Sequence, residues 1–214
     1  MTDLTRRART VTRPPLDVTR SAGERHPDMS TSMSPSLPFL TTRTLSVPVE
    51  FFTGLRQALL GAHSAAPVDV VRDAGYAAGQ ALFEHFASWL AERGEHGPDD
   101  LLDDRFPTLL TEYFQSMGWG TAHLHSLSDA VMALDATDWG EASDSARGGC
   151  LVSTGLFAGF LGRLADAPIA VLEVPRPDAG DGDCRFLLGS VDVIGYVYEA
   201  MERGIPYERA AASA

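Results

Sequence analysis

In this 214-residue chain the residues best suited to chemistry are two cysteines and a glutamate, Cys150, Glu173 and Cys184. Cys150 opens a glycine-bearing apolar segment, Glu173 closes a β-like run, and Cys184 follows a Gly/Asp turn. Thiolate sulfur and carboxylate oxygen are both zinc ligands, and zinc gathers four such donors tetrahedrally. No CxxC pair accompanies the two thiols, and isolated cysteines are more often buried and inert. A Cys150–Cys184 disulfide is a third outcome, one that needs an oxidising compartment. Spacing alone leaves all three open.

Other reactive side chains form weaker patterns. His123 and His125 alternate on a β-like stretch, so both point to one face and could bind metal or carry protons. No third ligand is identifiable beside them in sequence, and a solvent-facing pair is the commoner meaning. Asp135, Asp138, Glu141 and Asp144 read as acids of a polar loop. Asp178, Asp181 and Asp183 do not follow a calcium-loop pattern, and Ser153-Thr154 lies outside any GxSxG elbow. All 17 basic residues are arginine. Without lysine, a GxxxxGK[ST] phosphate loop and Schiff-base chemistry are both impossible.

The elements that must position these residues follow from local pattern. Cys150 to Ala165 reads as a helix, apolar around much of its circumference and therefore buried. Gly155, Gly159 and Gly162 thin one side of it, which fits close contact with another backbone. Ala167-Pro168 stops that helix, Ile169 to Val174 reads as a strand, and Cys184 to Leu188 as its hairpin partner. Upstream, Pro48 to Leu60 and Leu101 to Met117 read as helices. Asp69 to Ala91 is a longer one, with a second small ladder at Gly75 and Gly79. Thr121 to Leu127 and Ala130 to Leu134 form an antiparallel pair, followed by a polar loop from Asp135 to Arg147. Val191 to Arg203 is a final helix stopped by Gly204, and residues 206–209 add one short turn. This order predicts an α+β domain, with helices on one face of a four-stranded antiparallel sheet.

Bulk properties bound the partners. Residues 1–43 carry seven arginines against four acids, a net of +3, which leaves −15 for the rest of a −12 chain. An acidic body lacks the basic footprint of a nucleic-acid reader. No apolar run reaches the roughly 18 residues of a membrane span. The Arg/Thr/Ser/Pro-rich stretch 1–43 reads as a disordered tail without the apolar region of a signal peptide. Met29 and Met33 offer alternative translation starts within it.

Taken together, Cys150, Gly155 and Gly159, Glu173, Gly180-Asp181 and Cys184-Arg185-Phe186 resemble the 4-vinyl-reductase-like domain, a relative of the TRAPP trafficking subunits. The family pattern is a Cys opening a Gly-rich helix, then Glu-x-x-Cys, a Gly-Asp turn and Cys-Arg/Glu-Phe. The resemblance is specific over residues 130–190, extends to residue 48 and is absent from the tail. It implies a TRAPP-like ligand-binding fold over residues 44–206, with 207–214 as a short C-terminal tail. It also implies zinc held by Cys150, Glu173 and Cys184. The family's fourth ligand position is Arg176 here, whose guanidinium offers donors only. Asp178, Asp181 or water could complete the set, or Arg176 could pair with Glu173 in place of a metal.

The same resemblance implies a cytoplasmic homodimer that binds a small hydrophobic or aromatic molecule as sensor or carrier, without a catalytic motif. Two further roles come with the family. One is an accessory factor or reductase for a vinyl group in chlorophyll biosynthesis, although no glycine motif after a strand offers a nucleotide site. The other is a non-catalytic adaptor.

Overall fold

The computed structural model describes residues 66–95, 105–142, 149–176 and 182–214, with isolated positions at 51, 52, 54, 55, 58, 97, 98 and 180. The predicted tail over 1–43, most of the helix expected at 48–60, and Asp144, Asp178 and Asp181 lie outside the described residues. Among the described residues nine elements follow in order. They are α1 (Ala66–Glu92), α2 (Phe106–Ser116), β1 (Thr121–Ser126), β2 (Met132–Thr137), α3 (Leu151–Leu164), β3 (Ala170–Val174), β4 (Cys184–Gly189), α4 (Val191–Glu202) and α5 (Tyr207–Ala211). None of the described helices is long and apolar enough to cross a membrane.

The sheet has the order β1-β2-β4-β3 and is antiparallel throughout, so the fold class is the one the sequence predicts. Two hairpins, β1–β2 and β3–β4, meet along the β2–β4 ladder. Alternation sorts their side chains onto two faces. Ala122, Leu134, Ala136, Val171, Cys184, Phe186 and Leu188 belong to a core shared with α1, α2 and α3. Ala133, Ala170, Leu172, Val174 and Leu187 belong to a second core, closed by Ile194, Val197 and Ala200 of α4 and by α5.

The expectation that helices lie on one face therefore holds for α1–α3, while α4 and α5 cover part of the other. The reason is in the strands. Both phases of β3 and β4 are apolar, which leaves a second greasy surface that a solvated face would expose. Ser190 starts α4 by accepting the Val193 N–H at 3.3 Å, and Gly204 follows it at φ +83°.

Helices α1 and α3 explain the two glycine ladders. A Cβ at Gly75 would strike the carbonyl of Val152, and one at Gly79 that of Leu156. Reciprocally, a Cβ at Gly155 would strike the Arg72 carbonyl and one at Gly159 that of Tyr76. The two ladders, read separately from the sequence, face one another. Each helical glycine costs about 1 kcal/mol relative to alanine, which backbone-to-backbone packing offsets.

Below this pair lies an aromatic interior. Phe114 packs edge-on against Trp139 at 5.4 Å and against Phe157 at 5.6 Å. Phe157 meets Phe186 of the sheet at 5.1 Å. Tyr113 is fully buried, and its hydroxyl donates to the Leu82 carbonyl at 3.0 Å with His85 Nδ1 at 2.9 Å. Burial pushes its pKa upward.

The second strand departs from its predicted span. It starts at Met132, not Ala130, and continues through Asp135 to Thr137. Asp135 reads as the start of a polar loop, but Arg185 across the sheet takes both its carboxylate oxygens at 2.6 and 2.7 Å. That pairing lets a carboxylate occupy a central strand.

Candidate functional site

The site is built at the N-terminus of α3. A helix start leaves its first N–H groups without intrahelical partners, and here no side chain of the N-cap residue, Cys150, fills the gap. Two carboxylates from elsewhere do. Glu173, on the inner face of β3, accepts the Cys150 N–H at 2.7 Å through Oε2. Glu141, in the β2–α3 connection, accepts the Val152 N–H at 2.8 Å and the Ser153 N–H at 2.7 Å. It also accepts the Ser153 hydroxyl at 2.6 Å, and the Trp139 indole N–H donates to that Ser153 oxygen at 2.7 Å. Negative charge at this end of a helix is favoured by the aligned peptide dipoles.

Gly149 fits this crowding. It sits at φ +73°, and a Cβ there would lie 2.7 Å from Glu173 Oε2. The glycine both adopts the left-handed turn and lets the carboxylate reach the Cys150 amide.

The three residues singled out by the sequence converge. Donor atoms of Cys150, Glu173 and Cys184 all lie within 4.8 Å of one another. Cys150 and Cys184 are buried, free thiols. The Cys150 thiol is held far above its ordinary range, first by its hydrogen bond with Cys184. Burial and the charges of Glu173 and Glu141 add to this. Burial is also the main force raising Glu141 above the usual carboxylate value, opposed by its Ser153 and backbone hydrogen bonds. The guanidinium of Arg72, nine-tenths buried on α1, brings a positive charge that acts on Asp69 and on Glu173.

This donor set fits a dication such as zinc. Two sulfurs and one oxygen are ligands it accepts, and with bonds of about 2.0–2.3 Å the donors of a tetrahedral site stand roughly 3.3–3.8 Å apart. A contraction of about 1.0–1.5 Å at most brings the three donors from within 4.8 Å to that spacing. Glu173 already has one oxygen fixed by a backbone amide, the kind of outer contact that orients metal ligands. Among the described residues no other His, Cys, Asp or Glu joins the group. Without a metal the Cys150 thiol is a poor nucleophile, because the reactive form is the thiolate.

The remaining sequence candidates fall elsewhere. The Arg176 charge acts on Asp135. His123 and His125 do share a face, with ring centroids 5.5 Å apart, and it is the face opposite the thiols. Asp138 is exposed at φ +50°. Glu141 and Ser153, which read from the sequence only as a loop acid and a serine outside any elbow, and Trp139 are the residues whose role at the site the sequence does not show. Their signal was a Trp-Gly-Glu inside an otherwise polar loop, just ahead of a helix that lacks a capping side chain of its own.

No protein-family model and no curated protein matches the chain. Solved structures do. The phenol-responsive sensory domain of the transcription activator PoxR, with phenol, superposes with a TM-score of 0.51 at 12% identity, over 74% of this chain and 81% of that one. A trafficking protein particle complex subunit 3 from Naegleria fowleri, covalently bound to palmitic acid, gives 0.46 at 12% identity over 66% and 91%. A vinyl-4-reductase family protein from Methanocaldococcus jannaschii gives 0.42 at 15% identity over 69% and 84%. The PoxR likeness, at 12% identity, shows the fold.

Proposed function

We propose that this chain is a binding domain for a small hydrophobic or aromatic molecule, acting as sensor or carrier. The observation that carries the reading is the contiguity of two features. Cys150 and Cys184 belong to the same buried cluster as Phe114, Trp139, Phe157 and Phe186. An aromatic interior with a few converging polar groups is the usual make-up of a small-molecule site. The fold shared with a phenol-responsive domain supports the same class of ligand.

In this reading the rings supply apolar contact, and the α3 N-terminus supplies orientation through Glu141, Ser153 and the Cys150–Glu173 pair. Zinc held by Cys150, Glu173 and Cys184 would add a Lewis-acid position for a ligand hydroxyl or carboxylate. Arg72 offsets the negative charge of that set. In this proposal ligand entry parts α3 from the β3–β4 hairpin, and that displacement is what a partner would sense. A cytoplasmic homodimer belongs to the same proposal.

Native mass spectrometry of the reduced, full-length protein, with and without phenol and a long-chain fatty acid, tests it. Retained organic mass, or saturable quenching of tryptophan fluorescence on adding phenol, is the expected result, because Trp139 is fully buried against Phe157 at 5.4 Å. A bare protein that gives no saturable response to either probe overturns the reading. The same spectra read the zinc content and the mass of the assembly.

A further inference from the structure

We propose that His123, His125 and Asp135 form a binding site for a first-row transition-metal dication on the outer face of the sheet. This site is independent of the interior thiols. Cys184 and Arg185 are neighbours on β4 and point to opposite faces, Cys184 into the aromatic core and Arg185 toward Asp135.

The sequence supplies the two histidines, and the sheet register supplies the third donor. His123 pairs directly with Asp135 across the β1–β2 ladder, and His125 lies one step along the same face. β1 is an edge strand. Helices α4 and α5 pack over the other three strands, so His123 remains exposed and His125 half-buried. The two imidazoles are tilted by 38° with centroids 5.5 Å apart; the three donors do not stand within 4.8 Å of one another as they are, so the exposed His123 ring must turn to join the ion.

Two details point to a cation. His125 Nδ1 is 4.0 Å from Asp135 Oδ2, within about an ångström of the roughly 3.3–3.6 Å that separates neighbouring N and O donors around one dication with bonds of about 2.0–2.2 Å. That same nitrogen is fully covered and has no hydrogen-bond partner among the described residues. A buried polar atom left this way costs free energy, and a metal ion between it and Asp135 removes the cost.

The carboxylate is also held as a ligand should be. Arg185 Nε donates to Oδ1 at 2.6 Å and Nη2 to Oδ2 at 2.7 Å, while Nη1 donates to the Tyr207 hydroxyl at 2.9 Å. An ionised carboxylate offers about four lone-pair directions, so a direction remains on Oδ2. Such outer hydrogen bonds fix the orientation of a metal ligand. Imidazole nitrogen selects zinc, nickel or copper over magnesium and calcium.

The competing account is a protonated His125 paired with Asp135, with no metal. Calorimetric titration of the reduced, full-length chain with Ni2+ and with Zn2+ separates the two, run on wild type, His123→Ala and His125→Ala. His123 is exposed, so its truncation leaves the fold intact, as circular dichroism will show. The expected result is one metal equivalent that weakens at least tenfold in each variant. The thiolate-to-metal absorption of the interior site stays unchanged in all three proteins. Equal stoichiometry and affinity across the three, or no histidine-dependent equivalent with either ion, overturns the proposal.

Discussion

Glu173 Oε2 accepts the backbone N–H of Cys150 at 2.7 Å, so one carboxylate serves both as the cap of α3 and as a member of the thiol cluster. The two duties separate by substitution. Glu173→Ala leaves a buried N–H without its acceptor, a loss of about 1–3 kcal/mol. For a domain of this size that lowers Tm by roughly 2–4 °C per kcal/mol. Glu173→Gln keeps an acceptor and is expected to melt near wild type, while its zinc affinity falls as far as that of the alanine variant. Equal melting temperatures for the two variants would show that the cap contributes nothing.

The facing glycine ladders make a prediction of opposite signs at two positions. A Cβ at Gly79 meets the Leu156 carbonyl, whereas one at Gly195, in α4, meets nothing within 4 Å. Gly79→Ala should therefore destabilise by about 1–3 kcal/mol through overpacking. Gly195→Ala should stabilise by roughly 0.5–1 kcal/mol through helix propensity. Thermal melts of both variants decide this. A Gly79→Ala protein as stable as wild type would mean that α1 and α3 part without cost.

Asp135 gives the pH dependence. Burial alone would raise its pKa, but the hydrogen bonds and charge of Arg185, with the charges of Arg176 and His125, hold it below the usual carboxylate range. A depressed folded value means the unfolded chain binds the proton first. The stabilisation is therefore complete above the ordinary carboxylate pKa and is lost as pH falls through the folded value. Asp135→Asn, which breaks hydrogen bonds to a charged group, should cost about 2–3 kcal/mol at neutral pH. In denaturant melts the gap from wild type should close in acid. A gap that stays constant down to acid pH would mean that the carboxylate's charge does not matter.

What the sequence could show depended on whether a residue's role was local. The Cys150 helix, Glu173 at the end of β3 and Cys184 at the start of β4 were legible, because each marks an element boundary and the spacing matches a known pattern. The two glycine ladders were legible as ladders, but that they face one another is a fact of packing. Asp135 looked like loop because its compensation, Arg185, lies 50 residues away. Glu141 looked like a surface acid for the same reason, since its partners are the amides of a helix not yet placed against it. The second layer over β3 and β4 has a sequence signal, since both strands carry apolar residues in both phases, but which helices supply that layer is a fact of packing.

The thiols offer a test of how the interior opens. Alkylation requires the thiolate, and Cys150 is held protonated by its hydrogen bond with Cys184, by burial and by the charge of Glu173. In the metal-free, folded protein, iodoacetamide should therefore label Cys150 and Cys184 together, at the rate at which α3 leaves the hairpin. A molecule bound in the aromatic interior should slow both by the factor 1 + [L]/Kd, because it stabilises the closed state. Mass spectrometry of quenched time points reads the two sites separately. Fast labelling of Cys150 alone would show that the α3 N-terminus opens to solvent while the hairpin stays shut. Ligand entry would then run past Gly149 and not between α3 and β3–β4.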